Sequence, residues 1–334
     1  MTAPNSLFTE LTVATLKSRK KEIADNIGQH NALYRRMREK GNMRTVSGGT
    51  TIVENLDYAE NATFQRFSGY DVLNVSPSTV FTAAEFLWMQ AAVHVTYSGR
   101  EERINKGSKE RVFDLVKSRV DNAIATAANA MNRDMYSAGT LTNQIGGLQL
   151  IVATTPTNTV GGIDGNTWAF WRNKVINFNT AGPGGASVTP SKDNMRTYMN
   201  QMWLKLTRGA EVPDFILMDP TFYEYYEESL QVLQRYASAN EGAQGFQTLK
   251  YKSADVFFDQ TLAPDGVTPI MPAKTAYFLN TKYLKLVEHP DAQWTPMEDK
   301  VSVNQDATIV PLLWMGNMTV SNRFMQGVLY DSAS

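Results

Sequence analysis

Apolar positions recur at helical spacing over residues 10–40, at Leu11, Leu16, Ile23, Ile27, Tyr34 and Met37. Gly28 marks a point where that helix kinks or splits, and Gly41-Asn42 is a stop signal. From Ser47-Gly48-Gly49 the period falls to two. The stretches TTIV (50–53), TFQRF (63–67) and YDVLNV (70–75) predict strands, with a turn at Ser68-Gly69 and a close at Pro77. FLWMQAAVHVTYS (86–98) alternates along its whole length. Leu87, Met89, Ala91, Val93, Val95 and Tyr97 form its more apolar, inward face. The pattern then becomes helical again. Ser108 is the expected N-cap, with Glu110 in the first turn. Val112, Leu115, Val116, Val120, Ile124, Ala127, Ala128, Met131 and Met135 form one stripe that ends at Gly139. About 30 helical residues span roughly 45 Å, so this helix reads as a structural spine.

The strand-rich arm from Gly48 to about Gly99 is too long for an ordinary loop and has a polar middle. Projecting strands expose backbone edges, and an isolated hairpin is only marginally stable in water. Such an arm makes sense when a neighbouring molecule covers it, which points to assembly before chemistry.

Residues 140–280 read as a compact α/β unit with Gly-rich loops at 146–147, 161–165 and 182–185. The expected order is strand LQLIVA (148–153), a helix at 167–178, a helix at 191–208, strand FILM (215–218), a helix at 221–237 and strand ADVFFD (254–259). Asp219-Pro220 supplies an N-cap and a first-turn proline. From residue 275 the chain returns to strands: TAYFL, YLKLV and a long run from Ala307 to Tyr330. There is no internal repeat and no low-complexity segment.

Of the 334 residues, 43% are hydrophobic and 19% charged, below the usual charged share of about 25%, which fits a molecule that hides surface in contacts. The net charge of −1 excludes a wholly basic nucleic-acid binder. Cysteine is absent, so disulfides and thiolate metal sites are excluded. No signal peptide and no run approaching 20 apolar residues is visible, so a soluble protein made in a cytoplasm is expected, with no membrane partner.

Chemistry-bearing motifs are missing: no dinucleotide fingerprint, P-loop, HExxH or GxSxG. His30, His94 and His289 lie far apart in sequence and suggest no triad. His289-Pro290-Asp291 reads as a turn. Glu224, Glu227 and Glu228 share one helix, with Asp255 and Asp259 on a nearby strand. Paired carboxylates serve acid–base work or a divalent cation, but a solvated helix face is the better reading of this set. No catalytic, cofactor or metal residue is assigned. The one nucleic-acid feature is the basic face of the first helix: Lys17, Arg19, Lys20, Lys21, Arg35, Arg36, Arg38 and Lys40. Such a face neutralises phosphates without reading sequence, or docks acidic neighbours. Mixed charges on the arm and just after it (Glu54, Asp57, Glu60, Arg66, then Arg100, Glu101, Glu102 and Arg103) suit pairing and register between subunits.

In this order, a helical N-terminal arm, a long β-arm, a spine helix, an α/β unit and a return in long strands, the α+β chain resembles tailed-bacteriophage major capsid proteins of the HK97-like fold. Residues 1–45 resemble the N-arm and 46–105 the extended E-loop. Residues 106–144 and 281–334 resemble the peripheral domain with its spine helix, and 145–280 the axial domain. YFLNTKYLKLVEHPDAQWTP (277–296) and ATIVPLLWMGNMTVSNRFMQGVLYD (307–331) resemble the two terminal strands, with Ile309, Leu313 and Trp314 as core and Asn322-Arg323 near the end. RTVSGGTTIVENLDYAEN and SVNQDA look like one capsid subfamily in particular.

The resemblance implies a structural head protein that self-assembles into hexamers and pentamers of an icosahedral shell around packaged double-stranded DNA. The E-loop of one copy would lie across the spine region of the next. It implies portal and scaffolding proteins, and decoration proteins, as partners; assembly in the host bacterial cytoplasm; and a final place in the virion capsid. Little precedes the N-arm, so a separate scaffolding protein is expected. No Lys–Asn cross-linking pair is assigned. The alternative is an encapsulin-type compartment with protein cargo, followed by an enzyme built on the acidic cluster and by an adhesive or tail protein.

Overall fold

The computed structural model describes residues 31–100, 109–230, 249–260, 262–263, 267–297, 300–301 and 305–333. Most of the expected first helix, including Lys17, Arg19, Lys20, Lys21 and His30, lies outside them, as do Glu101, Glu102, Arg103 and the expected N-cap Ser108. Among the described residues no helix is long and apolar enough to cross a membrane.

The long helix runs over Lys109–Tyr136, 28 residues, about 42 Å at 1.5 Å per residue. From Val120 onward the expected stripe is buried: Val120, Ile124, Ala127, Ala128, Met131 and Met135. The side chains before Ser118 lie outside the described residues. A short helix, Ala32–Glu39, packs against it and is capped by Asn31, whose Oδ1 accepts the Tyr34 N–H at 2.8 Å.

Two sheets flank this spine. In the five-stranded sheet, Leu284–Pro296 lies between Met43–Thr45, which runs parallel to it, and Ala307–Val320. The other edge of Ala307–Val320 carries Met89–Ser98 in antiparallel register, from Ala307 opposite Ser98 to Gly316 opposite Met89. His289-Pro290-Asp291 occupies an irregularity between Glu288 and Gln293 on Leu284–Pro296, not a turn between elements.

The six-stranded sheet has the order Lys174–Asn177, Gly327–Tyr330, Thr275–Leu279, Phe215–Met218, Ala254–Phe258, Leu249–Tyr251. Thus the last strand of the chain is hydrogen-bonded into the α/β unit, although the sequence division at 281 grouped it with the return strands. This sheet is a wall between two cores. Ile216 and Met218 face the helices Lys192–Leu206 and Pro220–Leu230, with Met195, Met199, Met202 and Phe222. Phe215 and Leu217 face the spine side, with Tyr277, Leu279 and Val328. Strict alternation within a strand buried on both faces divides its side chains this way.

Three sequence expectations fail for identifiable reasons. LQLIVA is not a strand; Leu148–Ile151 forms one helical turn. It is jammed against the end of the spine, where a Cβ on Gly147 would sit 2.5 Å from the Asp134 carbonyl and the Ser137 amide. The helix expected at 167–178 is a 3-10 turn, Ala169–Trp171, then the strand Lys174–Asn177, which pairs parallel to Gly327–Tyr330. That pairing is remote in sequence and overrides local propensity. TFQRF and YDVLNV form no ladder, and no strand among the described residues pairs with them.

Candidate assembly surface

The arm is a hairpin with a rooted half and a free half. Thr51–Asp57 pairs antiparallel with Phe81–Leu87 over its full length. Ile52, Leu56, Ala84 and Phe86 point into the core. At Trp88 the strand changes partners, from the arm to Ala307–Val320. The change shifts the phase by one residue, so Phe86 is buried before it and Val95 and Tyr97 after it. Continuous alternation over 86–98 is therefore corrected to two strands out of phase, with Leu87 62% exposed.

A buried carboxylate fixes the root. Glu54 is 4% exposed. Its Oε1 lies 3.3 Å from Arg44 Nη1 and accepts the Thr319 hydroxyl at 3.1 Å, while Oε2 meets Lys285 Nζ at 3.2 Å. The sequence expects Glu54 at a contact between subunits; within the chain it is held by Arg44 on the strand Met43–Thr45 and by Lys285 and Thr319 on the return strands. On the opposite side Gly161, at φ +58°, lets a loop lie on the arm, and its carbonyl accepts the Glu85 N–H at 2.9 Å. A Cβ there would come within 2.9 Å of the Ala84 side chain.

Beyond Asp57 and Phe81 the tip leaves the body. Short polar side chains organise it. Asn61 Oδ1 accepts from Thr63 and from the Ser78 hydroxyl, Gln65 reaches the Val72 carbonyl, and Asp71 caps the Ser68–Asp71 turn through the Ser68 N–H at 2.7 Å. The expected turn at Ser68-Gly69 is present, with Asp71 N–H on the Ser68 carbonyl at 2.8 Å. The tip is not polar overall, however. Phe64 is 81% exposed, Tyr70 103%, Val72 92% and Val75 90%, and Phe67 and Leu73 are at least half exposed. A run of large apolar side chains in water marks a contact surface. Asp57, Glu60, Arg66 and Arg100 are also exposed.

At the root, an aromatic cluster lines a cavity of about 230 Å³. Tyr58 stacks on Phe170 at 5.3 Å and meets the edge of Trp168 at 5.9 Å. Phe324 sits under two cations, Lys174 Nζ 3.3 Å and the Arg208 guanidinium 4.4 Å from its ring centre. Burial, then the neighbouring Arg208 and Lys205, push the Lys174 ammonium below its ordinary 10.5. Sequence reading missed this site, since its members come from five separate segments.

The first helix's basic face is only partly available. Arg35 pairs with Glu39 at 2.8 Å, one turn on. Arg36 is committed inside the chain. Its Nη1 lies 3.0 Å from Asp255, its Nη2 lies 3.5 Å from the Asp214 carboxylate, and its guanidinium lies over Phe215. Within the chain, Arg36 thus spends its charge on Asp214 and Asp255. Arg38 and Lys40 are exposed. The acidic set does not converge either: Asp255 is taken by Arg36 and Lys250, and Asp259 accepts the Tyr136 hydroxyl at 2.5 Å. Burial, then Asp259, raises the Tyr136 phenol well above 10, so it remains a donor and ties the end of the spine to the six-stranded sheet. Among the described residues no three acids or histidines gather as a metal site. His94 is exposed, and His289 lies beside Trp88 at 5.8 Å.

No family model matches the chain, and no curated protein matches it. Solved structures do. The capsid of cyanophage A-1(L) aligns with a TM-score of 0.58 at 15% identity, over 88% of this chain and 91% of that one. The capsid of an empty GTA particle aligns at 0.53 and 13% identity, over 88% and 89%. An encapsulin complex from Synechococcus elongatus PCC 7942 aligns at 0.53 and 8% identity, over 88% and 86%. A spine helix between two sheets, with a hairpin arm projecting from its side, is therefore the HK97-like fold of capsid and encapsulin shells.

Proposed function

We propose that this chain is the major capsid protein of a tailed bacteriophage, a structural protein that catalyses no reaction. Copies form hexamers and pentamers that close into an icosahedral shell around packaged double-stranded DNA. The observation that carries this reading is the arm tip: a prebuilt turn bearing Phe64, Phe67, Tyr70, Val72 and Val75 in solvent, on a root held by Glu54. Apolar surface of that kind is removed from water when it lies on the next copy, at about 25 cal/mol per Å². Contacts of one surface with a different one on the neighbour generate rings, and rings of five and six close a container.

Shell-forming neighbours with the same fold support self-assembly. Portal, scaffolding and decoration proteins are proposed partners. Exposed Arg38 and Lys40, with Lys17, Arg19, Lys20 and Lys21, offer sequence-independent contacts to DNA or to a neighbour. The domain roles proposed with it are an N-arm to residue 45, an E-loop at 46–105, a peripheral domain over 106–144 and 281–334 around the spine, and an axial domain over 145–280. Assembly takes place in the bacterial cytoplasm and the product is the virion capsid.

Replacing residues 59–79 by an Asn-Gly turn tests this reading, because Tyr58 and Val80 are already paired for such a hairpin. Light scattering should show megadalton particles for the full chain, alone or with its scaffolding partner, and capsomers or monomers for the shortened one. Particles of unchanged size from the shortened chain would remove the arm from the account. The encapsulin likeness favours a second reading, a compartment with protein cargo. Particle contents separate the two: nucleic acid for the first, a companion protein for the second.

A further inference from the structure

We propose that the cation–aromatic cavity at the arm root, lined by Tyr58, Phe170, Arg208 and Phe324 with Lys174 and Lys205 beside it, is the seat for the arm tip of a second copy of this chain. The proposal rests on the shell reading above and names the acceptor surface within it.

Among the described residues the seat has no occupant. Lys174, Lys205 and Arg208 form no ion pair among the described residues, and the Glu211 carboxylate nearest Arg208 in sequence is held by Lys282 and Asn280. The chain's own tip does not fill the cavity: it departs at Tyr58 and keeps Phe64, Phe67 and Tyr70 between 65% and 103% exposed. At about 230 Å³ the space suits one aromatic side chain. Small-molecule sites run from about 300 Å³ upward.

Tip and seat complement each other in charge as well as in shape. The seat presents Lys174, Lys205 and Arg208, with Asp57 alone opposing them. The tip presents Glu60 and Asp71, with Arg66 available to Asp57. Duplex DNA fits less well, because Asp57 repels phosphate and stacked base pairs offer no free ring to an aromatic slot. Each leg of the tip has about 11 residues and extends up to roughly 35 Å. A radius of gyration of about 20 Å for a compact chain of this length corresponds to a sphere of about 26 Å radius. The tip therefore extends beyond its own body and onto an adjacent copy, and it meets that copy's root where the two roots stand within about 35 Å of each other.

Photocross-linking tests the assignment in the assembled full chain. Benzoylphenylalanine is placed at Phe67 or Tyr70, in a mixture of isotopically light and heavy copies, and cross-linked peptides are identified by mass spectrometry. The expected result is light–heavy products joining the tip to peptides containing Phe170, Arg208 or Phe324. Particles whose cross-links fall on another surface, or only within one copy, overturn the seat and leave the shell reading standing. A chain that remains monomeric and gives no cross-link between copies overturns both. As a second arm, K174E/R208E should keep a cooperative thermal transition, a few degrees lower for the loss of both cations over Phe324, yet lose at least tenfold of the cross-link yield. An undiminished yield would show that these cations do not form the seat.

Discussion

Glu54 is the point where the arm's mechanics can be measured. Glu54→Gln leaves one oxygen for the Thr319 hydroxyl but removes the charge facing Arg44 and Lys285. A hydrogen bond to a charged group contributes about 1.5–3 kcal/mol. The side chains of Arg44 and Lys285 are 48% and 31% exposed, so solvent screening places each contact at the low end. A net loss of about 2 kcal/mol follows, because the buried amide then opposes an ammonium with its own N–H groups. Applied to local opening of the root strand, about 2 kcal/mol is a roughly 30-fold rise in amide exchange. Hydrogen exchange by mass spectrometry should show that rise over Thr51–Asp57 and Phe81–Leu87, which share one ladder. The spine helix should keep its protection. In a double-mutant cycle with Lys285→Gln, the two changes should be less than additive by about 1 kcal/mol. Exchange at the root within threefold of the parent, with fully additive variants, would refute the idea that this carboxylate holds the arm.

Arg323 is fully buried and bonded only to neutral oxygens: the Ile151 carbonyl at 2.8 Å, Asn158 Oδ1 at 2.7 Å and Asn173 Oδ1 at 3.1 Å. Arg323→Met should cost about 3–5 kcal/mol by orphaning those acceptors. With an unfolding entropy near 0.7 kcal/mol/K for a chain this long, the melting temperature should fall by about 4–7 °C; a fall under 1 °C in calorimetry would contradict the assignment. Burial holds the Asp219 carboxyl above its ordinary 3.8 although it caps the helix through the Phe222 N–H. The folded chain therefore binds that proton more tightly than the unfolded one. The group favours folding at low pH and loses that contribution as pH rises from about 3.8 through the native value. Asp219→Asn keeps the cap and removes the charge, so urea melts should show it gaining on the parent from pH 3.5 to pH 7; a gap independent of pH would count against the burial argument. Gly147→Ala places a Cβ 2.5–2.6 Å from three backbone atoms at the end of the spine. It should melt several degrees lower, and an unchanged melt would mean that the contact relaxes at no cost.

Much of this was legible in the sequence because it is local and periodic. The spine stripe, the helix after Ser191 and the strand FILM follow from spacing alone. The partners of Glu54 and Arg36 within the chain were not legible, although the phase of each residue was. Glu54 lies in step with Ile52 and Leu56 on a strand of period two, so alternation already turns it inward. Arg36 follows Leu33 by three residues and so shares the buried face of its helix. In both cases a charged residue was read as surface because its partners, Lys285 and Asp255, lie over 200 residues away. The tip deceived in the opposite direction. Its β-branched and aromatic residues have strand character, but no strand among the described residues pairs with them. The root cavity was out of reach, since Lys174, Arg208 and Phe324 meet only once the six-stranded sheet has closed.

Electron microscopy of the purified chain, alone and with a candidate scaffolding protein, tests the central claim most directly. The account predicts closed icosahedral particles, or rings of five and six, in which each arm tip crosses onto the adjacent copy. A uniform population of monomers or small dimers in both samples would contradict it.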